Sequence, residues 1–152
     1  MKEIIATENA PAAIGPYCQA TKVGKLIYTA GQIGFDPTTM KIVEGGVQAQ
    51  AKQALTNLGA ILEAAGSDFD HVLKTTVFMR YMKDYGKVNA IYAEFFSGSV
   101  PARSAVAVSA LPAGALVEIE AVAVIKKVEK VKKDKKAKKG KKKAKAKKSK
   151  AE

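Results

Sequence analysis

Few side chains in this 152-residue chain can do chemistry, and the strongest candidates fall between positions 100 and 120. The first 125 residues hold only two arginines, Arg80 and Arg103. Arg103 sits in Val100-Pro101-Ala102-Arg103-Ser104, where a proline-fixed turn leads into the apolar stretch Ala105-Val106-Ala107-Val108. A guanidinium held there offers a planar fork for a carboxylate. The competing reading is a surface arginine paired with an acid on the next strand. Glu118 and Glu120 share one face of a period-two stretch. Either that end of the strand is solvated, or one carboxylate meets Arg103 or activates a water. Tyr17 follows Gly15-Pro16 and reads as core packing or as a pocket wall. Asn89 lies in a helix, where solvent exposure is a sufficient explanation. Cys18 reads as a small buried hydrophobe, and His71 as a capping or surface residue.

What is missing narrows the chemistry. There is no Gly-x-x-x-x-Gly-Lys-Ser/Thr loop and no Gly-x-Gly-x-x-Gly, which argues against nucleoside triphosphate and dinucleotide folds. There is no Cys-x-x-Cys and no His-Glu-x-x-His. One cysteine and one histidine cannot supply the ligands of the usual zinc sites. A Ser-His-Asp triad would have to use His71, with no nucleophile elbow in the chain.

These residues need a scaffold, and hydrophobic periodicity gives its outline. Asn9-Ala10-Pro11-Ala12 and Gly15-Pro16 are turn chemistry, so the first 16 residues read as irregular with one short edge strand. Ala20–Val23 and Leu26–Thr29, joined through Gly24-Lys25, read as a hairpin. A loop runs from Asp36-Pro37 to Gly45-Gly46. Val47, Ala51, Ala54, Leu55, Leu58, Ile61, Leu62 and Ala65 then recur at helical spacing, and Gly66 follows as a C-terminal glycine. His71 to Met82 is β-rich. Asp84 to Phe96 is a second helix, with Val88, Ile91, Tyr92 and Phe95 on one face. Ser104–Ser109 and Glu118–Ile125 are strands broken by Leu111-Pro112-Ala113-Gly114. The order ββ-α-β-α-ββ predicts an α+β sheet with both helices on one face.

Charge divides the chain into 1–125 and 126–152. Of 26 basic and 14 acidic residues, 16 lysines and three acids lie in 126–152, a local charge of +13. The remaining ten and 11 leave the body at −1. The tail lacks aromatic residues and cannot bury enough apolar surface to offset its ordering entropy, so it is expected to be disordered. It resembles the tails of histone-H1-like proteins, and its charge suits non-specific contact with nucleic acid or another polyanion. No apolar run reaches the roughly 18 residues of a membrane span. The N-terminus lacks the apolar core of a secretory signal. The expectation is a cytoplasmic protein without disulfides.

Four stretches in order carry a resemblance: Ala6-Thr7-Glu8-Asn9-Ala10-Pro11 through Gly15-Pro16-Tyr17, Ala30-Gly31-Gln32-Ile33, Pro101-Ala102-Arg103-Ser104 and Glu118-Ile119-Glu120-Ala121. Together they resemble the Rid family, the reactive intermediate deaminases, also called the YjgF family. The resemblance runs from about Met1 to Ile125. It implies a chorismate-mutase-like fold and a homotrimer. The three sheets would form a central barrel, with sites in the clefts between subunits. It implies hydrolysis of small 2-imino acids, such as 2-iminobutanoate and 2-iminopropanoate, or of their enamine tautomers. The products would be 2-oxo acids and ammonia, made with no cofactor and no metal. Carried over residue by residue, Arg103 would bind the substrate carboxylate and Glu118 would position or activate water. Tyr17 would line the pocket, Gly31 would bring backbone close to the ligand, and Asn89 would lie near the site. Family members often have Cys where this chain has Ala105, and Ser where it has Ala30. The alternative is a nucleic-acid-associated protein of the ribonuclease or translation-inhibitor type, binding through the lysine-rich tail.

Overall fold

A computed structural model describes residues 1–126. Nine strands and two helices follow in the order β1 (Lys2–Ile5), β2 (Ala20–Val23), β3 (Leu26–Thr29), β4 (Gln32–Ile33), β5 (Phe35–Asp36), β6 (Lys41–Ile42), α1 (Gly46–Ala64), β7 (Val72–Met79), α2 (Tyr85–Phe95), β8 (Ala102–Ala107) and β9 (Val117–Val124). The seven-stranded sheet runs β1-β2-β3-β9-β7-β8, with β4 also on β9. All its pairings are antiparallel except β7 with β8. The α+β architecture expected from periodicity is present. The stretch read as a loop after Asp36 instead closes into the two-stranded ribbon β5–β6. Its turn is tight: Asp36 Oδ1 accepts from the Thr38 and Thr39 N–H groups at 2.7 and 3.2 Å.

The alternation of β9 organises the core. Val117, Ile119, Ala121 and Ala123 are buried, while Glu118, Glu120, Val122 and Val124 are half-buried on the other face. The buried face meets Leu55, Leu58, Ile61 and Leu62 of α1 and Val88 and Tyr92 of α2 in one hydrophobic cluster. Both helices therefore cover the same face of the sheet, as the apolar stripes require. Gly24, in the αL conformation at φ 58°, turns the β2–β3 hairpin, and Gly66, at φ 82°, ends α1.

Two buried amides tie the irregular segments down. Asn57, fully buried in α1, donates from Nδ2 to the Phe35 carbonyl at 2.8 Å and the Ile33 carbonyl at 3.3 Å. Gln19 donates from Nε2 to the carbonyls of Thr7, Ala10 and Pro11 at 2.8 to 3.2 Å, and its Oε1 accepts from the Thr7 N–H. The irregular N-terminal segment is thus pinned onto the sheet.

The last described residue, Lys126, is held against the body. The Lys126 N–H donates to the Gly66 carbonyl at 2.9 Å, and its ammonium lies 3.0 Å from Asp68. The rest of the lysine-rich tail, on which the expectation of disorder rests, lies outside the described residues.

Replacing Asn57 by alanine leaves the Phe35 and Ile33 carbonyls without this donor. The expected cost is about 1–3 kcal/mol, read as a lower denaturant midpoint at unchanged m-value.

Candidate active site

Glu118 and Gly31 are brought together by an irregularity in the sheet. Tyr28 pairs with Val122 and Gln32 with Ile119, so four residue steps on one strand face three on β9. The extra residue falls around Ala30-Gly31, a bulge of the kind that often flanks functional sites. The Thr29 hydroxyl bridges the break by accepting from the Ala121 N–H at 2.9 Å. A Cβ built on Gly31 would collide with the Glu118 side chain, 2.7 Å from its carboxyl carbon and 2.9 Å from its Cγ. Any side chain at position 31 would push the Glu118 carboxylate out of this placement. Gly31 is needed for this close approach and not for a left-handed backbone.

The carboxylate of Glu118 opens on a cavity of about 310 Å³, whose wall includes Tyr17, Gln19, Gly31, Gln32 and Pro112. Tyr17 is 52% exposed and stands on the cavity wall, not in the core. Its hydroxyl accepts weakly from the Ile14 N–H at 3.3 Å. Cys18 is half-buried beside it, less enclosed than a core hydrophobe. Among the described residues no cation pairs with Glu118. Burial pushes its pKa up, and the neighbouring charge of Glu120 pushes the same way.

Arg103 occupies a second hollow of about 390 Å³, lined by Asn89, Tyr92, Ala93, Phe96, Val100 and Pro101. Its Nη2 donates to the Asn89 Oδ1 at 2.8 Å and to the Tyr85 hydroxyl at 3.0 Å. The guanidinium carbon lies 4.6 Å from the centre of the Tyr92 ring. The Tyr92 hydroxyl is 2.8 Å from the Thr75 hydroxyl in the core, which fixes the ring. Burial pushes the Tyr92 phenol up, partly offset by the Thr75 hydrogen bond and the Arg103 charge. Arg103 therefore does not pair with an acid on the next strand, and Asn89 is more than a solvated helical residue.

The two halves face opposite ways. Arg103 is level with the buried Thr75 on β7 and lies over α2, on the helix-covered face. Glu118 projects from the other face, opposite in sense to the buried Ile119. Tyr17, Gly31 and Glu118 thus converge in one cavity, and Arg103 and Asn89 in another. A single small ligand cannot touch both groups within one chain.

His71 is remote from either cavity. Its Nδ1 lies 2.6 Å from Asp68, the surface role expected of it. Burial works to raise the Asp68 pKa, but the His71 and Lys126 contacts outweigh it and hold the carboxyl below its usual value. No group of three or more His, Cys, Asp or Glu residues able to hold a metal occurs among the described residues. Sequence patterns did not single out Gln19, Tyr85 or Tyr92 for the site. Tyr92 showed only as part of the apolar face of its helix, and the contacts that matter for all three are between residues distant in sequence.

Residues 7–125 match the Endoribonuclease L-PSP family. The chain belongs to this family, the one its four motifs resemble. Over 124 residues it is 56% identical to a mouse protein named 2-iminobutanoate/2-iminopropanoate deaminase, covering 82% of this chain and 92% of that one. The human protein of the same name is 52% identical over 124 residues, covering 82% and 90%. Among solved structures, the E. coli YjgF gene product is 48% identical, with a TM-score of 0.78 and coverage of 82% of this chain and 99% of that one. E. coli TdcF, solved with bound serine, is 41% identical with the same TM-score and the same coverage. The Rid fold expected from sequence is therefore present.

The influence of Glu120 on Glu118 gives a pH-dependent outcome. If Glu118 acts as a base, activity rises with pH through its raised pKa. Replacing Glu120 by glutamine removes one of the two causes of that elevation. The acidic limb of the kcat/KM profile is then expected to move to lower pH, measured across pH 4 to 8.

Proposed function

We propose that this protein is a cytosolic 2-iminobutanoate/2-iminopropanoate deaminase, hydrolysing small 2-imino acids and their enamine tautomers to 2-oxo acids and ammonia. The observation that carries the reading is the presence of a fixed guanidinium and of a carboxylate with raised pKa and no cation beside it among the described residues, in a chain more than half identical over 124 residues to relatives bearing that name.

In this reading Arg103 takes the substrate carboxylate and Tyr17 walls the pocket. Gly31 keeps the backbone close to the ligand and clears space for Glu118. Asn89 holds the arginine. The substrate iminium carbon is already electrophilic, so orientation and proton transfer suffice. Glu118 accepts a proton from water as the oxygen–carbon bond forms, giving a neutral carbinolamine. It returns that proton to the nitrogen. The carbon–nitrogen bond then breaks, the hydroxyl oxygen loses its proton to become the carbonyl, and ammonia leaves to be protonated in water. Iminium and water are thereby converted to 2-oxo acid and ammonium, without redox change. These residues require no metal and no cofactor for these steps.

The opposed placement of Arg103 and Glu118 supports a homotrimer in which the Arg103 hollow of one subunit completes the Glu118 cavity of the next. A barrel of three sheets is favoured because the uncovered face exposes Leu26, Tyr28 and Val106.

The test is an imine-trapping assay. An amino-acid oxidase generates imines, semicarbazide traps them, and added protein lowers the trapped yield. Wild type and a chain truncated after Lys126 are expected to be equally active. Arg103→Ala is expected to lose about 100-fold in kcat/KM, as for removal of one partner of a charge pair. No effect of wild type on any imine would defeat the proposal.

A second reading concerns the tail alone and is compatible with the first. A charge of +13 over 126–152 favours non-specific binding to nucleic acid phosphates. The absence of arginine and aromatic residues there argues against base readout. Full-length protein is expected to retain single-stranded RNA and duplex DNA alike. Affinity should fall by roughly a thousandfold or more between 50 and 200 mM salt. Truncation after Lys126 should abolish it, and retention by the truncated chain in a filter-binding assay would exclude the tail as the binder.

A further inference from the structure

Arg103 does not stand alone over α2. Its Nη2 carries two hydrogens and has two acceptors, the Asn89 Oδ1 at 2.8 Å and the Tyr85 hydroxyl at 3.0 Å. Both acceptors come from α2, Tyr85 from its first residue and Asn89 one turn later. The Tyr92 ring supports the guanidinium, and Thr75 locks that ring. Nη1 and Nε keep their donors, and no described residue accepts from them. Such a pattern fixes the plane of the guanidinium at one corner and leaves the rest of it for a ligand.

We infer that Tyr85 is a positioning residue for Arg103: its hydroxyl, together with Asn89, holds the guanidinium so that the remaining N–H donors receive the carboxylate of a 2-oxo or 2-imino acid. The inference deepens the deaminase reading and rests on it for the identity of the ligand. Tyr85 does not touch the reacting carbon and acts only through the arginine. A phenol is neutral, so it orients the cation without competing for its charge as an aspartate would. Tyr85 is 41% exposed, so its hydroxyl is expected to matter more for ligand binding than for stability.

Tyr85→Phe removes the hydroxyl and keeps the ring. Titration calorimetry of the full-length protein with 2-oxobutanoate is expected to show affinity about three- to tenfold weaker than wild type, the range for one hydrogen bond of modest net value. In the imine assay the same variant should raise KM by a similar factor and leave kcat within about twofold, because the chemical step does not involve Tyr85. Its melting temperature should match wild type. Tyr85→Leu, which removes the ring as well, controls for packing. Losses in affinity that are equal in Phe and Leu assign the effect to the hydroxyl. Wild-type affinity in Tyr85→Phe, or tighter binding because the phenol competes with the ligand for Nη2, would overturn the inference. So would a wild-type protein that does not bind 2-oxobutanoate. The deaminase reading fails separately: a wild-type chain that binds the oxo acid in a Tyr85-dependent way but hydrolyses no imine would leave the positioning role standing and remove the activity.

Discussion

A sheet covered by helices on one face only is the constraint from which the rest of this molecule follows. The period of two along β9 assigns Val117, Ile119, Ala121 and Ala123 to the core and Glu118 and Glu120 to the uncovered side. The same sheet, two strands away, places Arg103 of β8 over α2. A one-residue shift of β9 would bury both glutamates against α1 and expose the isoleucine. Burying two charged carboxylates without partners is far costlier than losing a few ladder contacts. The register that makes the core is therefore also the register that makes the site.

Electrostatics divides the labour between the two halves. Among the described residues Arg103 has two neutral oxygens and an aromatic face as partners and no acid. Its positive charge is oriented but not neutralised, so it remains available to an anionic ligand. Glu118 has the opposite character. It is half-buried, has no cation beside it among the described residues, and sits two residues from another carboxylate. Burial and the neighbouring carboxylate both favour its protonated form and push its pKa up, the direction that suits a group that must take up and release a proton. An ion pair between Arg103 and Glu118 within one chain would have cancelled both properties. The sheet prevents it.

Much of this was legible in the sequence because it is periodic. The α1 stripe, the β2–β3 hairpin and the alternation of β9 each repeat over several turns or residues, and each occurs where periodicity puts it. The turn chemistry before Arg103 also marked the right strand. Other features carried no local signal. The β5–β6 ribbon has two residues per strand, too short for any period. The bulge at Ala30-Gly31 exists only relative to β9 and is invisible along one strand. Gln19 looks like an ordinary polar residue until its amide is found against the carbonyls of Thr7, Ala10 and Pro11. Asn89 and Tyr85 are unremarkable on a helix until β8 brings Arg103 to them. Pairwise readings of Arg103 with an acid failed for the same reason: sequence spacing does not say which face of the sheet a residue joins.

The family description names an endoribonuclease, while the mouse and human relatives are named deaminases, and the chemistry of the described residues separates the two. Cleaving a phosphodiester through a ribose hydroxyl calls for a base at that hydroxyl, an acid at the leaving oxygen and cations around the phosphate. The single histidine lies on the surface against Asp68, away from both cavities. Among the described residues, no lysine or arginine lines the cavity holding Glu118. One arginine brought to it from a neighbouring subunit would match one small carboxylate better than the repeated charges of a polynucleotide. The positive charge of this protein is instead concentrated beyond Ile125. On the proposed reading, affinity for nucleic acid and turnover of small imines would belong to different parts of the chain, and the first would not require the second.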